Sequence, residues 1–204
     1  NTPPFIKIKP DPFPIYRESN NKLYIPRFFG LQNYGVPDEI KINNYTNSTN
    51  LDFTGSLRDY QIDIVNKYIS HVNDENNLYG GLLEIPCGRG KTVMALNIAS
   101  KLKVKTLVIV HKGFLLEQWI ERIQQFLPNA KIGRIQGQII DIEDKDIVIG
   151  MLQSLSMKDY PTSLFSSFGL TIVDEVHHIA AEVFVRSLFT VVTKYVLGLS
   201  ATMQ

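Results

Sequence analysis

The 204-residue chain has a single cysteine, Cys87, and a single tryptophan, Trp119. One cysteine cannot form an internal disulfide, which excludes a disulfide scaffold and fits a reducing setting. Charge of one sign is not in excess: 21 Lys and Arg face 20 Asp and Glu, for a net charge of +1. Bulk electrostatics therefore neither favour nor exclude nucleic acid, and any phosphate contact must come from a local surface. No apolar run approaches the ~18 residues of a membrane span. The opening Asn1-Thr2-Pro3-Pro4 lacks the charged and apolar regions of a secretion signal. Together these absences lead us to expect no membrane partner and an intracellular location.

Hydrophobic residues make up 44% of the chain and charged ones 20%. That balance is ordinary for a globular protein and excludes a disordered tail or a collagen-like fibre. Seven of the ten prolines fall in residues 1–50, among Phe5, Phe13, Tyr16, Tyr24, Phe28, Phe29 and Tyr34. Proline this dense argues against long helices and for short extended pieces such as Lys22–Pro26. The aromatics suggest a small accessory sheet packed on a larger body. A polar run, Asn43–Asn50, reads as a linker or exposed loop. The expected division is an accessory segment over 1–54 and a main domain over 55–204.

From Leu57 the pattern becomes regular. Helices are expected over Leu57–Val72, Lys91–Leu102, Phe114–Leu127 and Ile179–Phe189. Strands are expected over Leu82–Ile85, Thr106–Val110, Lys131–Gln136, Asp146–Met151, Leu170–Val173 and Val196–Leu199. Thr106–Val110 is a continuous, mostly β-branched run, as in a strand buried on both faces. Strand alternating with helix over 120 residues means an α/β domain with a mostly parallel sheet.

The sharpest signal is Ile85-Pro86-Cys87-Gly88-Arg89-Gly90-Lys91-Thr92, between an expected strand and an expected helix. Gly88 and Gly90 permit backbone conformations closed to other residues and let amides approach an anion. The helix starting at Lys91 offers unpaired N–H groups and a positive dipole end. Lys91 supplies a point charge for phosphate, and Thr92 a hydroxyl ligand for Mg²⁺. Ile85 stands where the strict phosphate-loop pattern has its first glycine, but the chemistry sits in the last five residues.

The second signal is Leu170-Thr171-Ile172-Val173-Asp174-Glu175-Val176-His177, an apolar strand running into two acids. Ligands of open α/β sheets sit outside the carboxyl ends of the strands. Asp174 is then placed to face a Mg²⁺ held by Thr92, and Glu175 to deprotonate an attacking water.

These motifs resemble the first RecA-like domain of a superfamily 2 helicase of the DExH type. Leu57-Arg58-Asp59-Tyr60-Gln61 resembles the element whose glutamine reads adenine, so Arg58 and Gln61 join Gly88, Arg89, Gly90, Lys91 and Thr92 as candidates for ATP binding. Val110–Trp119, with Lys112, and Gly150–Leu155, with Gln153, resemble motifs that lie on nucleic acid. Asp174-Glu175-Val176-His177 resembles the DEVH box, and Ser200-Ala201-Thr202 the motif that couples nucleotide state to strand contacts. The resemblance covers 57–204. The spelling of the phosphate loop, the DEVH box and Leu197–Thr202 is similar to the XPB/Rad25 branch, which works on DNA in transcription and repair. The opening Phe13–Glu18 and Tyr24–Gly30 resemble the start of helicases of large cytoplasmic DNA viruses, which implies a cytoplasmic or virion-associated location.

The resemblance implies an ATP-dependent helicase or translocase using Mg²⁺, with DNA favoured over RNA and transcription machinery as a partner. Lys91, Asp174 and Glu175 are its expected catalytic residues, Thr92 and Asp174 its metal ligands, and Lys112, Gln153, His177, Ser200 and Thr202 its nucleic-acid and coupling residues. The second RecA-like domain of that family, with its arginine fingers, is not in this sequence, so little turnover is expected of these 204 residues alone. Two other readings stay open: a restriction-type translocase subunit, and a nucleotide switch that does not move. Trp119 and Phe126, which could stack on bases, are expected in the core from their helical spacing. Lys101, Lys103 and Lys105 are expected to complement a helix end.

Overall fold

The computed structural model describes residues 14–42, 49, 51–74, 79–175 and 191–201. The expected helix over 179–189 lies outside the described residues, as do His177 and Thr202.

The chain opens with a hairpin of β1 (Arg17–Ser19) and β2 (Lys22–Tyr24), then helix α1 (Arg27–Tyr34). Helix α2 (Asp59–Val72) leads into β3 (Gly80–Glu84), α3 (Lys91–Leu102), β4 (Thr106–Val110) and α4 (Gly113–Phe126). Then come β5 (Ile132–Gln136), β6 (Ile139–Asp141), β7 (Ile147–Met151), α5 (Leu152–Met157), a 3₁₀ turn (Thr162–Phe165), β8 (Leu170–Val173) and β9 (Tyr195–Ser200).

Strands β3 to β9 form one sheet in the order β3-β9-β8-β4-β7-β5-β6. All its pairings are parallel except β5 with β6. The period-2 alternation of β4 explains why both faces are covered. Val108 and Val110 join one core with Met94, Leu96, Leu116 and Ile123 from α3 and α4. Leu107 and Ile109 join the other with Leu152, Leu155, Phe165 and Phe168. This is the expected three-layer α/β domain with a mostly parallel sheet.

The α1 helix departs from the expectation of extended pieces. Pro26 sits just before its first residue, where a missing N–H costs nothing, and Gly35 ends it at φ +81°. Arg27 donates to the carbonyls of Thr193 and Lys194 at 3.0 and 3.3 Å, fastening α1 at the start of β9. Leu51 is buried in the main core, and Phe53 stacks on Phe126 with ring centroids 5.6 Å apart. Trp119 is buried too, so Trp119 and Phe126 both pack inward as their spacing indicates, while Phe114 at the start of α4 is exposed. The three lysines go three ways. Lys101 bonds Asn66 at 3.0 Å, Lys103 is the left-handed residue closing α3, and Lys105 bonds the Ile142 carbonyl at 2.6 Å and lies over the Phe168 ring.

Candidate active site

Strands β3, β8 and β9 end on one edge of the sheet, and the chemistry-bearing residues follow them. The phosphate loop leaves β3, with the Ile85 N–H bonded to the Ser200 carbonyl at 3.0 Å. That bond ties the start of the loop to the end of β9. Gly88 and Gly90 take φ of +75° and +82°, conformations that disfavour any side chain. Gly90 then hands the chain to α3, whose first residue is Lys91.

The decisive distance is between loop and acid pair. Lys91 Nζ lies 3.7 Å from Glu175 Oε1, and both side chains are largely shielded from solvent. The same ammonium is 3.4 Å from the Ile85 carbonyl. Lys91, Gly90 and Glu175 therefore converge from separate strand ends onto one shelf.

Asp174 has a different partner. It is 6% exposed, and its Oδ2 accepts a 2.8 Å hydrogen bond from the Trp119 indole N–H. Its own N–H bonds the Ile109 carbonyl at 3.0 Å, pinning the end of β8 to β4. Burial raises its pKa, opposed by the Trp119 bond, while the Glu175 charge raises it further. Glu175 has φ +54°, the left-handed region that is costly for a residue with a Cβ. That turn separates two adjacent acids, one engaging an indole and the other a lysine.

Gln61 comes to the loop from α2. Its Nε2 donates to the Arg89 carbonyl at 3.0 Å, and its Oε1 accepts the Arg58 N–H at 3.0 Å, a capping interaction at the helix start. Tyr60 donates to the same Arg89 carbonyl at 3.1 Å. Tyr60 lies inside the motif of Gln61 without being singled out by it; only the fold reveals that the two grip one carbonyl. Arg58 and Arg89 have exposed side chains. Thr92 is half-buried in the first turn of α3.

Lys112 and Gln153, expected on nucleic acid, occupy other strand ends. Lys112 is the exposed residue before α4, with its ammonium 5.9 Å from the Phe114 ring centroid. Gln153 is exposed on α5, which follows β7 directly, and Ser200 closes β9. Lys112 and Gln153 are not brought into contact with the phosphate loop by any bond of theirs among the described residues. The exposed Cys87 lies in the loop itself.

A cavity of about 710 Å³ opens at the opposite edge of the sheet, lined by Lys105, Lys131, Asp146 and Ser163 among others. It is not the site. Anion recognition by a loop relies on open backbone amides, which make a shelf and not a hollow.

Residues 54–204 match the family described as "Type III restriction enzyme, res subunit". The chain belongs to that family. A relative named "Putative ATP-dependent RNA helicase L396", from Acanthamoeba polyphaga mimivirus, is 38% identical over 195 residues, 95% of this chain and 37% of that one. Such coverage has to take in most of the segment before residue 54. "DNA 3'-5' translocase XPB2" of Sulfurisphaera tokodaii is 35% identical over 146 residues, 72% of this chain and 30% of that one. The solved "Sulfolobus solfataricus SWI2/SNF2 ATPase core in complex with dsDNA" superposes with TM-score 0.60 at 20% identity, covering 78% of this chain and 35% of that one. This likeness establishes the RecA-like fold. The chain spans about a third of the length of these relatives.

Proposed function

We propose that this chain is the ATP-binding part of an ATP-dependent nucleic-acid motor, a helicase or translocase. The observation that carries the reading is the approach of Lys91 to Glu175. It supports the reading because a triphosphate at the carboxyl edge of the parallel sheet would meet both the loop and a carboxylate.

In this reading the amides of Gly88–Thr92 and the Lys91 ammonium hold the β- and γ-phosphates. Gln61 has one N–H and one lone pair left for adenine, since its other donor and acceptor sites hold Arg89 and Arg58. Glu175 takes a proton from the water that attacks the γ-phosphorus, as the bond to the bridging oxygen breaks and ADP leaves.

The donor set fits Mg²⁺. Thr92 and Asp174 offer hard oxygens, and among the described residues no group of three or more His, Cys, Asp or Glu could hold a metal alone. Mg²⁺ is ordinarily held by one or two protein oxygens plus substrate phosphates. When bound, it supplies charge neutralisation on the transferring phosphoryl group.

DNA is the favoured polymer, supported by the names of the XPB2 translocase and of the duplex-bound ATPase core; the mimivirus relative's name points to RNA. Work in transcription, and a viral source, follow from the same likenesses as proposals. The family description also suits a restriction-type motor subunit, which would share this domain. ATPase assays on the full-length protein, with and without duplex DNA or RNA, test the reading. Glu175→Gln is expected to abolish polymer-stimulated turnover while sparing ATP binding. Hydrolysis indifferent to both polymers would leave a switch, and undiminished turnover in the variant would remove Glu175 from the chemistry.

A further inference from the structure

Trp119 lies in the core, as its helical spacing predicts. Packing alone would be served by any large apolar residue there. Its helix, α4, runs Leu116, Trp119 and Ile123 along one buried face. Yet the indole turns its one polar atom onto Asp174 Oδ2, 2.8 Å away and 55 residues later in the chain. A buried indole N–H needs an acceptor, and an acid 6% exposed needs donors. Each satisfies the other.

The consequence for the site is directional. An indole only donates, so it holds a carboxylate oxygen and cannot compete for a cation. With Oδ2 holding the indole N–H, the carboxylate is restrained in rotation, and the Lys91 charge acting on it places it beside the phosphate loop. The Glu175 backbone N–H bonds the same carboxylate, which adds to the restraint. Groups that orient a metal ligand in this way commonly control metal affinity.

The geometry points to Trp119 as a positioning residue for the Asp174 carboxylate, setting how tightly the site takes Mg²⁺ with nucleotide. The inference rests on the proposed Mg²⁺·ATP reading. Trp119 touches neither nucleotide nor metal in it and acts through Asp174 alone.

Because Trp119 is the sole tryptophan, biosynthetic replacement with β-(3-benzothienyl)alanine alters this position only. The analogue keeps the shape and apolar surface and replaces N–H by sulfur. Calorimetry then measures binding of a non-hydrolysable ATP analogue to the 204-residue chain, in EDTA and across a Mg²⁺ titration. The half-saturating Mg²⁺ concentration is expected to rise about 10-fold or more, with affinity in EDTA unchanged. A core role alone would move neither. Native protein with Mg²⁺-dependent binding and a substituted protein with the same dependence would overturn the inference by itself. Native protein without any Mg²⁺ dependence would overturn the Mg²⁺·ATP reading as well. The unsubstituted chain gives a second measurement: Mg²⁺ added to the nucleotide-loaded protein is expected to change Trp119 emission, and emission that stays constant through saturation also overturns the inference.

Discussion

Lys91 Nζ is 3.7 Å from Glu175 Oε1, so the cation proposed to bind phosphate is paired with the residue proposed as base. Phosphate oxygens entering the loop have to compete with that carboxylate. Glu175→Gln keeps the size and removes the charge, so nucleotide affinity in EDTA is expected to hold or rise a few-fold. Lys91→Ala removes a charged hydrogen bond worth about 1.5–3 kcal/mol, and affinity is expected to fall about 10-fold or more. Calorimetry on the two variants reads both. A Glu175→Gln variant that binds as weakly as Lys91→Ala would contradict the competition.

Gly88 and Gly90 both have positive φ, but they differ in surroundings. A Cβ at Gly88 would meet nothing within 4 Å, whereas one at Gly90 would sit 2.5 Å from Gln61 Nε2. Gly88→Ala is therefore expected to cost the left-handed penalty alone, about 1–2 kcal/mol. Gly90→Ala carries that penalty and also displaces Gln61 from the Arg89 carbonyl. Adding Gln61→Ala should recover part of the second loss, so a denaturation double-mutant cycle is expected to show coupling of about 0.5 kcal/mol or more. Additive losses would mean that Gln61 swings aside freely.

How much of the molecule is legible in its residues depends on how local each feature is. The β4 run Thr106–Val110 and helix α3 from Lys91 match expectation to the residue, because burial on both faces and a glycine-to-helix junction are written in consecutive letters. Strand β6 escapes the periodicity: it is three exposed residues. Its signal is Gly137-Gln138, a two-residue turn of the kind that starts with glycine, between Gln136 and Ile139. Helix α1 escapes a count of prolines that ignores where they stand, since Pro26 precedes the helix and Pro37 follows it. Loop and acids are legible as motifs, but the Trp119–Asp174 bond joins separate strand–helix units and exists only once β4 and β8 pair.

Tyr68 offers a pH test of how α2 is held. Its hydroxyl donates to the Val196 carbonyl at 2.9 Å, and burial pushes its pKa well above the ordinary tyrosine value of 10. Above pH 10 the unfolded chain loses this proton while the folded chain keeps it. The folded state then binds more protons, so stability falls as pH rises. Tyr68→Phe is expected to lose about 1 kcal/mol at neutral pH, from the hydrogen bond, and to show a shallower alkaline decline. Urea titrations at about pH 7 and at several more alkaline values measure both. Parallel alkaline slopes would show that Tyr68 is not the group responsible.

The fastening of α1 can be broken at two points. A Cβ on Gly80 would run into the Phe28 ring, so Gly80→Ala must expel that ring from the start of β3. Arg27→Met removes the donor to Thr193 and Lys194 without touching Gly80. Burial already holds the Arg27 pKa below its ordinary value, so the guanidinium is a costly group to place there unless its hydrogen bonds repay the desolvation. Both variants are expected to release the segment around α1 while the seven-stranded sheet stays folded. Hydrogen exchange should then show amides over 27–34 losing protection and those of β4 and β7 keeping it. Equal loss of protection throughout would mean that α1 unfolds together with the domain and is part of its cooperative core.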